Sequence, residues 1–286
     1  MIQLQNLRQI KIRIKSIENT RKITRAMEMV SVSKLKRTKA LFYSIRPYLS
    51  ALETMMQDLL SDSPGLENVL LQKRELVKNT ALCVITSDTG LCGAYNNNML
   101  RYAEKFLLEL RRPDVSIIAV GKEAYAYFLK KGLRIENSYL GLYGRCSSSI
   151  SDTIANDLVG LFTRREADEV YVAYSRFNPS LRHVPTVEKL LNIEPREEPR
   201  NFYTFERSAQ AILDSILPKY ISYKIRAIIS EAFTSEHSAR MLAMKTATDN
   251  AQDLIEQLTL ARNKARQFAI TKEVLEIAAS AEALKG

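Results

Sequence analysis

The sequence predicts an α/β fold: a long antiparallel coiled coil of N- and C-terminal helices plus a doubly wound, mostly parallel α/β middle domain. Three observations predict it. Helix breakers concentrate in the middle of the 286-residue chain, since the first Pro is Pro47, the last is Pro218, and no Gly stands between Gly160 and Gly286. Apolar residues recur at steps of three and four towards both ends. Short β-rich runs alternate with helical runs in the centre.

The terminal segments are predicted to be coiled-coil helices over 1–60 and 209–286. Ile10 and Ile14 begin an apolar stripe that continues to residue 59, and the C-terminal segment carries a similar stripe. Two such helices at opposite ends of one chain would pair antiparallel. The stretch 219–285 would extend ~100 Å as a helix. Part of the helix pair is therefore expected to protrude.

The middle domain, over 75–193, is predicted to hold a right-handed, mostly parallel sheet. Strands are expected within 80–88, 115–121 and 169–177, helices at about 97–110, 123–131 and 151–164, and an extended piece at the sheet edge near 184–193. The following residues, 194–208, are predicted to be a linker or foot. Pro195 and Pro199 oppose regular structure there, and Ser208 is a candidate N-cap of the next helix.

The composition excludes several classes of protein. Apolar content of 46% and charged content of 26% are normal for a soluble globular chain. No apolar run approaches the ~18–20 residues of a membrane-spanning helix, and no signal peptide is expected. Three cysteines without CxxC spacing indicate a reducing compartment. With only His183 and His237 in the chain, no metal site is predicted.

The turn "SDTGLCGAYN" (87–96) follows a predicted strand, where doubly wound sheets bind nucleotides. Gly90 and Gly93 give only G-x-x-G, which favours a tight turn with positive φ over a phosphate site. Cys92 is expected to be a small buried residue and Asp88 a turn or cap residue. No nucleophile, base and orienting group can be assembled, so we predict no catalytic residue and no cofactor.

The stretch 19–40 carries seven Lys or Arg and a single acid, Glu28. Residues 1–50 hold twelve basic and two acidic residues, a charge of +10, and the whole chain is 42 − 32 = +10. The basic excess is therefore local, and it indicates an acidic partner. Residues 1–41 lack aromatic side chains for base stacking, so an acidic protein surface is favoured over nucleic acid. A nucleic-acid-binding scaffold and an enzyme built on the middle domain remain the alternatives.

Three stretches in this order resemble the gamma subunit of F-type ATP synthase. Residues 14–37 resemble its N-terminal helix signature, 87–96 its middle-domain turn, and 235–277 its C-terminal signature. The resemblance implies a rotor shaft. Its terminal helices would stand in a ring of three alpha and three beta subunits, and its middle domain would sit with the epsilon subunit on a c-subunit ring.

The resemblance also implies how such a shaft works. Ion-driven rotation of the c ring would force each catalytic beta subunit through different nucleotide affinities, so gamma itself is expected to be non-catalytic. No nucleic acid would be bound. The chain would lie peripherally at the cytoplasmic face of a bacterial plasma membrane, or alternatively at the inner face of an energy-transducing organelle membrane.

Nine residues are assigned roles by the resemblance. Met27 matches the rotor methionine that contacts an acidic lever segment of beta. Lys22 and Arg25, beside it, match the charge partners of that lever. The positions that match the contact with a beta catch loop are Glu236, Arg240, Gln267 and Thr271. The positions that match the foot facing the c ring are Tyr203 and Glu206.

The sequence departs from the family pattern at two positions. Arg207 follows Glu206 where the family often has Glu-Pro, and Thr89 replaces the usual Arg of the middle-domain turn. The cysteine-bearing insertion of chloroplast gamma subunits is absent, so thiol regulation is not expected. The small aliphatic stretch 274–286 would suit a low-adhesion tip in an apolar collar.

Overall fold

A computed structural model of the chain describes residues 7–63, 65–178, 183–194 and 208–283. The helices are α1 (Leu7–Asp62), α2 (Tyr95–Leu110), α3 (Lys122–Lys130), α4 (Ser148–Thr163) and α5 (Ala209–Ala283), with a 3-10 turn at Val69–Leu71. The strands are β1 (Asn79–Ile85), β2 (Asp114–Val120), β3 (Arg134–Tyr139), β4 (Glu169–Phe177) and β5 (His183–Leu191). The predicted fold class is confirmed: two long terminal helices flank an α/β sheet.

The chain divides into two compact units. The helical unit consists of the described residues among 1–30 and 241–286, and the middle unit of those among 31–240. Both long helices contribute to both units. Each helix also contains one proline, Pro47 in α1 and Pro218 in α5.

The sheet of the middle unit has the strand order β3-β2-β1-β4-β5. The first four strands pair in parallel, and β5 pairs antiparallel with β4 at one edge. Because the order reverses between β1 and β4, the sheet is doubly wound. The extended piece predicted near 184–193 is therefore an edge strand. The strand β3 was missed by the sequence analysis.

Alternation along β1 divides the core into two layers. Ala81, Cys83 and Ile85 face the larger layer, together with residues of α1, α4 and α5. Leu82 and Val84 face the smaller layer, formed with α2 and α3. Side chains two residues apart share a face of a strand, so this strand is buried on both sides. The buried side chains of greatest volume include Met56, Phe128, Phe162 and Phe233.

The helical unit pairs α1 and α5 antiparallel, because residues that follow one another in α1 meet residues in the reverse order in α5. Thr248 donates a hydrogen bond from Oγ1 to Thr24 Oγ1 at 2.9 Å, and Arg21 bonds Gln252 one turn further along. Both threonines are buried. Apolar residues of the stripe, including Ile10, Ile14, Met244 and Ala251, are buried on either side of this hydroxyl pair.

Candidate functional site

The helical unit carries a basic surface on α1. A cavity of about 390 Å³ is lined by Arg21, Lys22, Arg25, Thr248, Asp249 and Gln252. Lys22 is exposed, and Arg25 reaches Glu28 with an Nη1–Oε2 distance of 3.3 Å while staying 64% exposed. An ion pair so open to solvent contributes little to stability. Most of the positive charge therefore remains available to a partner.

Apolar side chains are exposed beside these charges. Ile23 is 61% exposed, and Met29 and Val30 are similarly open, whereas Met27 is half-buried. Methionine side chains are flexible and adapt to different partner surfaces. Met27 therefore lies with Lys22 and Arg25 on one short segment that offers both charge and deformable apolar contact.

Gln267 and Thr271 are neighbours on an exposed part of α5. Thr271 donates from Oγ1 to the Gln267 backbone oxygen at 3.0 Å, as a residue four positions later on a helix can. Both side chains are exposed. The structure therefore brings these two predicted contact residues together on a helix face that is open to a partner.

Glu236 and Arg240 are also brought together, but inside the middle unit. Glu236 is 2% and Arg240 8% exposed, with 2.6 Å between Glu236 Oε1 and Arg240 Nη1. Arg240 also donates to Thr89 O at 2.8 Å, to Thr89 Oγ1 at 3.1 Å and to Gly90 O at 3.3 Å. Burial raises the pKa of Glu236 against the opposing pull of the Arg240 charge. The charged groups of both residues thus engage their own chain.

The turn after β1 is organised by Asp88. Its carboxylate accepts hydrogen bonds from the backbone N–H groups of Lys122, Gly141 and Tyr143 at 2.8 to 3.1 Å. The carboxylate therefore joins the start of α3 to the loop after β3. The prediction of a turn or cap residue at Asp88 is confirmed, and the residue also links two loops.

The glycines of the turn behave differently from one another. Gly93 adopts a φ of 62°, as predicted, but Leu91 rather than Gly90 takes the second left-handed position, also at 62°. Cys92 is buried beside Ser87 and Asn96, and burial raises the pKa of its thiol. A protonated buried thiol is a poor nucleophile, which agrees with a structural role.

The carboxyl end of β1, where a nucleotide would bind in this topology, is covered by α5. Tyr95 donates from its hydroxyl to Ala232 O at 3.0 Å, and Cys92, Tyr95 and Ala239 form a small apolar cluster. Arg240 caps the same turn through its bonds to Thr89 and Gly90. The chain's own helix α5 therefore packs against the turn at which doubly wound sheets bind nucleotides.

The two histidines are held inside the middle unit. His183 Nδ1 lies 3.1 Å from Ser235 Oγ, and burial lowers the pKa of His183. Burial, with the Arg240 charge nearby, lowers the pKa of His237 to about 3. The His237 ring lies against Gly144, where an added Cβ would come within 2.2 Å of Nε2. His237 is therefore neutral at pH 7 and has a structural role.

Sequence reasoning did not find the partners of Arg240. Thr89 was noted only as the replacement of a family Arg, and nothing in the local pattern links it to a residue 151 positions later. Ser208 was predicted correctly as an N-cap, since its Oγ accepts from Ala211 N at 3.3 Å. Tyr203, Glu206 and Arg207 lie outside the described residues.

Within the part of the chain that the structure describes, none of the helices has a stretch apolar enough, over sufficient length, to pass through a bilayer.

Comparison with known proteins matches nearly the whole chain. A sequence model of the ATP synthase family matches residues 6–284. The ATP synthase gamma chain of Alkaliphilus metalliredigens is 38% identical, covering 98% of this chain and 99% of the relative. That of Roseiflexus castenholzii is 41% identical, covering 97% and 98%.

Solved structures agree in fold. A chain of the Euglena gracilis mitochondrial ATP synthase, from a structure of its OSCP, F1 and c-ring, aligns with a TM-score of 0.69 at 18% identity. That alignment covers 97% of this chain and 94% of the other. A chain of the Tetrahymena thermophila central stalk and c-ring structure aligns with a TM-score of 0.59 at 22% identity, covering 79% and 99%. With a family match over almost its full length, this chain belongs to the ATP synthase gamma chain family.

Proposed function

We propose that this chain is the central rotor shaft of an F-type ATP synthase. Ion flow would turn a c ring, the shaft would turn with it, and its asymmetric surface would drive the catalytic beta subunits through their conformations for ATP synthesis or hydrolysis. Two supports are the family match over residues 6–284 and the relatives named as gamma chains. The shaft itself would be non-catalytic.

The observation that carries this proposal is the exposed basic and apolar surface of α1 around Lys22, Arg25 and Met27. Acidic residues are nearly absent from this part of the helix. A helix surface that contacts only solvent usually carries acidic residues among the basic ones, because such pairs stabilise the helix. An acidic lever on each beta subunit would be attracted to the charges of Lys22 and Arg25 and would pack against the flexible side chain of Met27. Such a surface favours a contact that forms and breaks during every turn.

Gln267 and Thr271 are proposed to bond a catch loop of beta, since both are exposed on one face of α5. Glu236 and Arg240 belong to the same proposed contact set, but their part requires a rearrangement. To reach a beta subunit, Arg240 would have to leave its acceptors on Thr89 and Gly90. We therefore expect these two residues to contact a beta subunit only in a conformation of the chain in which those bonds are broken.

The middle domain, proposed over 75–193, would bind the epsilon subunit and face the c ring with the linker or foot at 194–208. Tyr203 and Glu206 are the proposed foot contacts. The coiled coil would be formed by 1–60 and 209–286. Assembly on a c ring would hold the chain peripherally at the cytoplasmic face of a bacterial plasma membrane, as the bacterial relatives favour.

Reconstitution with alpha and beta subunits of the same organism tests this function. The full chain should enter a complex of one gamma with three alpha and three beta subunits and support its ATPase activity. A chain truncated after Leu258 loses Gln267 and Thr271 and should lower that activity. Failure of the full chain to enter the complex, together with tight binding to random DNA at physiological salt, would instead support the nucleic-acid scaffold.

A pair of double variants makes the test specific to the proposed contact. Gln267→Ala/Thr271→Ala should lower the gamma-dependent ATPase activity. Lys272→Ala/Glu276→Ala removes a neighbouring exposed i,i+4 pair, 3.6 Å apart, and should leave the activity unchanged. Equal losses of activity in the two double variants would show that this part of α5 tolerates no truncation of side chains. That result would contradict a specific role of Gln267 and Thr271.

A further inference from the structure

A second cationic cavity lies in the middle unit. Its volume is about 350 Å³, which is within the range of small-molecule sites. The cavity is lined by Lys34, Arg37, Thr38, Leu41, Tyr143, Gly144, Arg145, Cys146 and Ser147. Three of these side chains are cations, and none of the lining residues in the described chain is acidic.

Among the described residues, no acidic side chain forms an ion pair with Lys34, Arg37 or Arg145, although the Lys34 charge acts to lower the pKa of Glu236 against the effect of burial. Lys34 Nζ donates to Tyr143 O at 3.3 Å, a neutral acceptor. The Arg37 and Arg145 guanidinium groups have neither an ion-pair nor a hydrogen-bond partner among the residues that the structure describes. Some other cations of the same unit do form ion pairs, as Arg176 does with Glu188. Three cations around one cavity that has no acidic lining residue indicate a site for an anion.

The donors that line the cavity favour a tetrahedral oxyanion. Two guanidinium groups offer planar forks that match phosphate oxygens, and the lysine adds a compact charge. Thr38 and Ser147 also line the cavity, and the Thr38 hydroxyl donates to Leu35 O at 3.2 Å, which leaves the Ser147 hydroxyl as a further donor. The start of α4, whose N-cap is Ser147, adds the positive end of a helix dipole to this field.

We propose that this cavity binds a phosphate group, carried either by inorganic phosphate or by a nucleotide. A bound anion would connect α1 with the loop between β3 and α4, because Lys34 and Arg37 lie on the helix and Arg145 on the loop. The site does not depend on the rotor function, and it uses none of the residues proposed to contact beta. An experiment can therefore contradict the phosphate site without contradicting the rotor proposal, and the reverse.

Titration calorimetry on the full chain tests the proposal, with sodium phosphate, ADP or ATP injected at constant ionic strength set by chloride. We expect saturable binding of at least one of these phosphates. Lys34→Gln, Arg37→Gln and Arg145→Gln should each weaken it about tenfold, as expected for the loss of one charged hydrogen bond. Inorganic phosphate as the tighter ligand indicates a free-anion site, and ADP or ATP as the tighter ligand indicates a nucleotide site.

Lys36→Gln is the matched control. Lys36 is exposed on the same helix, does not line the cavity, and its loss changes the net charge by the same amount as the loss of Lys34. Affinity that is unchanged in Lys36→Gln and weakened in Lys34→Gln supports the site. Equal weakening in both variants, or no saturable binding of any phosphate, overturns it. A Glu-rich peptide that binds through Lys34, Arg37 and Arg145 while phosphates do not also overturns it, in favour of a protein partner. Circular dichroism of each variant verifies folding.

Discussion

At the scale of single residues, Arg240 joins a helix to a turn that lies far away in the sequence. One guanidinium bonds Oε1 of Glu236, two backbone carbonyls and the Thr89 hydroxyl. In the described state these bonds make Arg240 an internal link. A buried charge with so many partners is costly to change, because each lost bond leaves a desolvated group behind.

Arg240→Gln should lower the free energy of unfolding of the middle unit by about 3–5 kcal/mol, since Glu236 would remain buried without its partner. Thr89→Val removes only the hydroxyl acceptor and leaves the carbonyl, so a loss of about 1 kcal/mol is expected. Urea denaturation, monitored by the near-ultraviolet circular dichroism of tyrosine, measures the free energy of unfolding of both variants.

Thr163→Val provides the control for these variants, because Thr163 is exposed and bonds only within α4. Its effect should stay within about 0.5 kcal/mol. If Arg240→Gln had an effect of this small size, the internal link would contribute nothing to stability.

His237 predicts a pH dependence with a defined sign. Its pKa is about 3 in the folded chain and about 6.5 when unfolded, so the unfolded state binds the proton first. The neutral-histidine contribution to stability is complete above about pH 6.5 and declines as the pH falls towards 3. The slope reaches about 1.4 kcal/mol per pH unit.

His237→Gln should flatten the stability profile by that slope between pH 4 and 6. Denaturant unfolding at several pH values measures this, with wild type and variant compared in the same buffers. Arg240 and Lys34 are the cations near the His237 imidazole, and both remain unchanged in this variant. Parallel profiles for the two proteins would show that His237 is not the titrating group.

Residue-level prediction from the sequence was only partly possible. Ser208 was predicted in its role because an N-cap depends on neighbours in the chain, whereas the bonds of Asp88 to Lys122, Gly141 and Tyr143 depend on tertiary packing. The bonds of Arg240 to Thr89 depend on tertiary packing, and no local pattern encodes them. The chemical roles of Lys22, Arg25 and Met27 came from the family resemblance and remain predictions.

At the scale of elements, each long helix tolerates one proline in its interior. Pro47 in α1 and Pro218 in α5 are both exposed. A proline inside a helix removes a backbone hydrogen bond and clashes with the preceding turn. Tertiary packing of the helix must therefore offset a local penalty.

Pro47→Ala should raise the free energy of unfolding by about 1–3 kcal/mol, because alanine restores the hydrogen bond and favours the helix. Chemical denaturation of the full chain measures this, and Pro218→Ala offers the matched change in α5. A destabilised Pro47→Ala chain would mean that the packing of α1 depends on the bend that proline imposes.

The three central strands were predicted because their side chains are buried, whereas the polar edge strand β3 was missed. The runs at β1, β2 and β4 contain consecutive buried residues, as a central parallel strand requires. By contrast, β3 reads Arg-Ile-Glu-Asn-Ser-Tyr and lies at an edge, paired only with β2. Its polar composition gives no alternation that would distinguish a strand from a loop.

At the scale of the whole molecule, the charge is divided unequally. Residues 1–50 hold a charge of +10, and the remaining 236 residues balance at 30 basic and 30 acidic. A concentrated field of one sign accelerates the encounter with an oppositely charged surface and weakens as salt is added. The association of this chain with its alpha and beta partners should therefore depend on ionic strength.

Lys22→Gln/Arg25→Gln should slow that association about tenfold at low salt and reduce its salt dependence. Stopped-flow light scattering with alpha–beta assemblies measures the rates. Arg101→Gln/Lys130→Gln removes the same charge from exposed positions of the middle unit and is the control. Equal slowing in both variants would assign the effect to net charge and would contradict a specific role of the basic surface.

The buried hydroxyl pair of Thr24 and Thr248 has a consequence for timing. A slip of α1 along α5 by one heptad would move Lys22 by ~10 Å relative to Gln267. It would also part the two hydroxyl groups, whose bond is 2.9 Å long in the correct alignment. In the proposed complex, the ring of alpha and beta subunits would contact Lys22 and Gln267 at different levels along the shaft. The bond between Thr24 and Thr248 would keep the spacing of these two levels constant, so that both contacts occur at the same rotation angle.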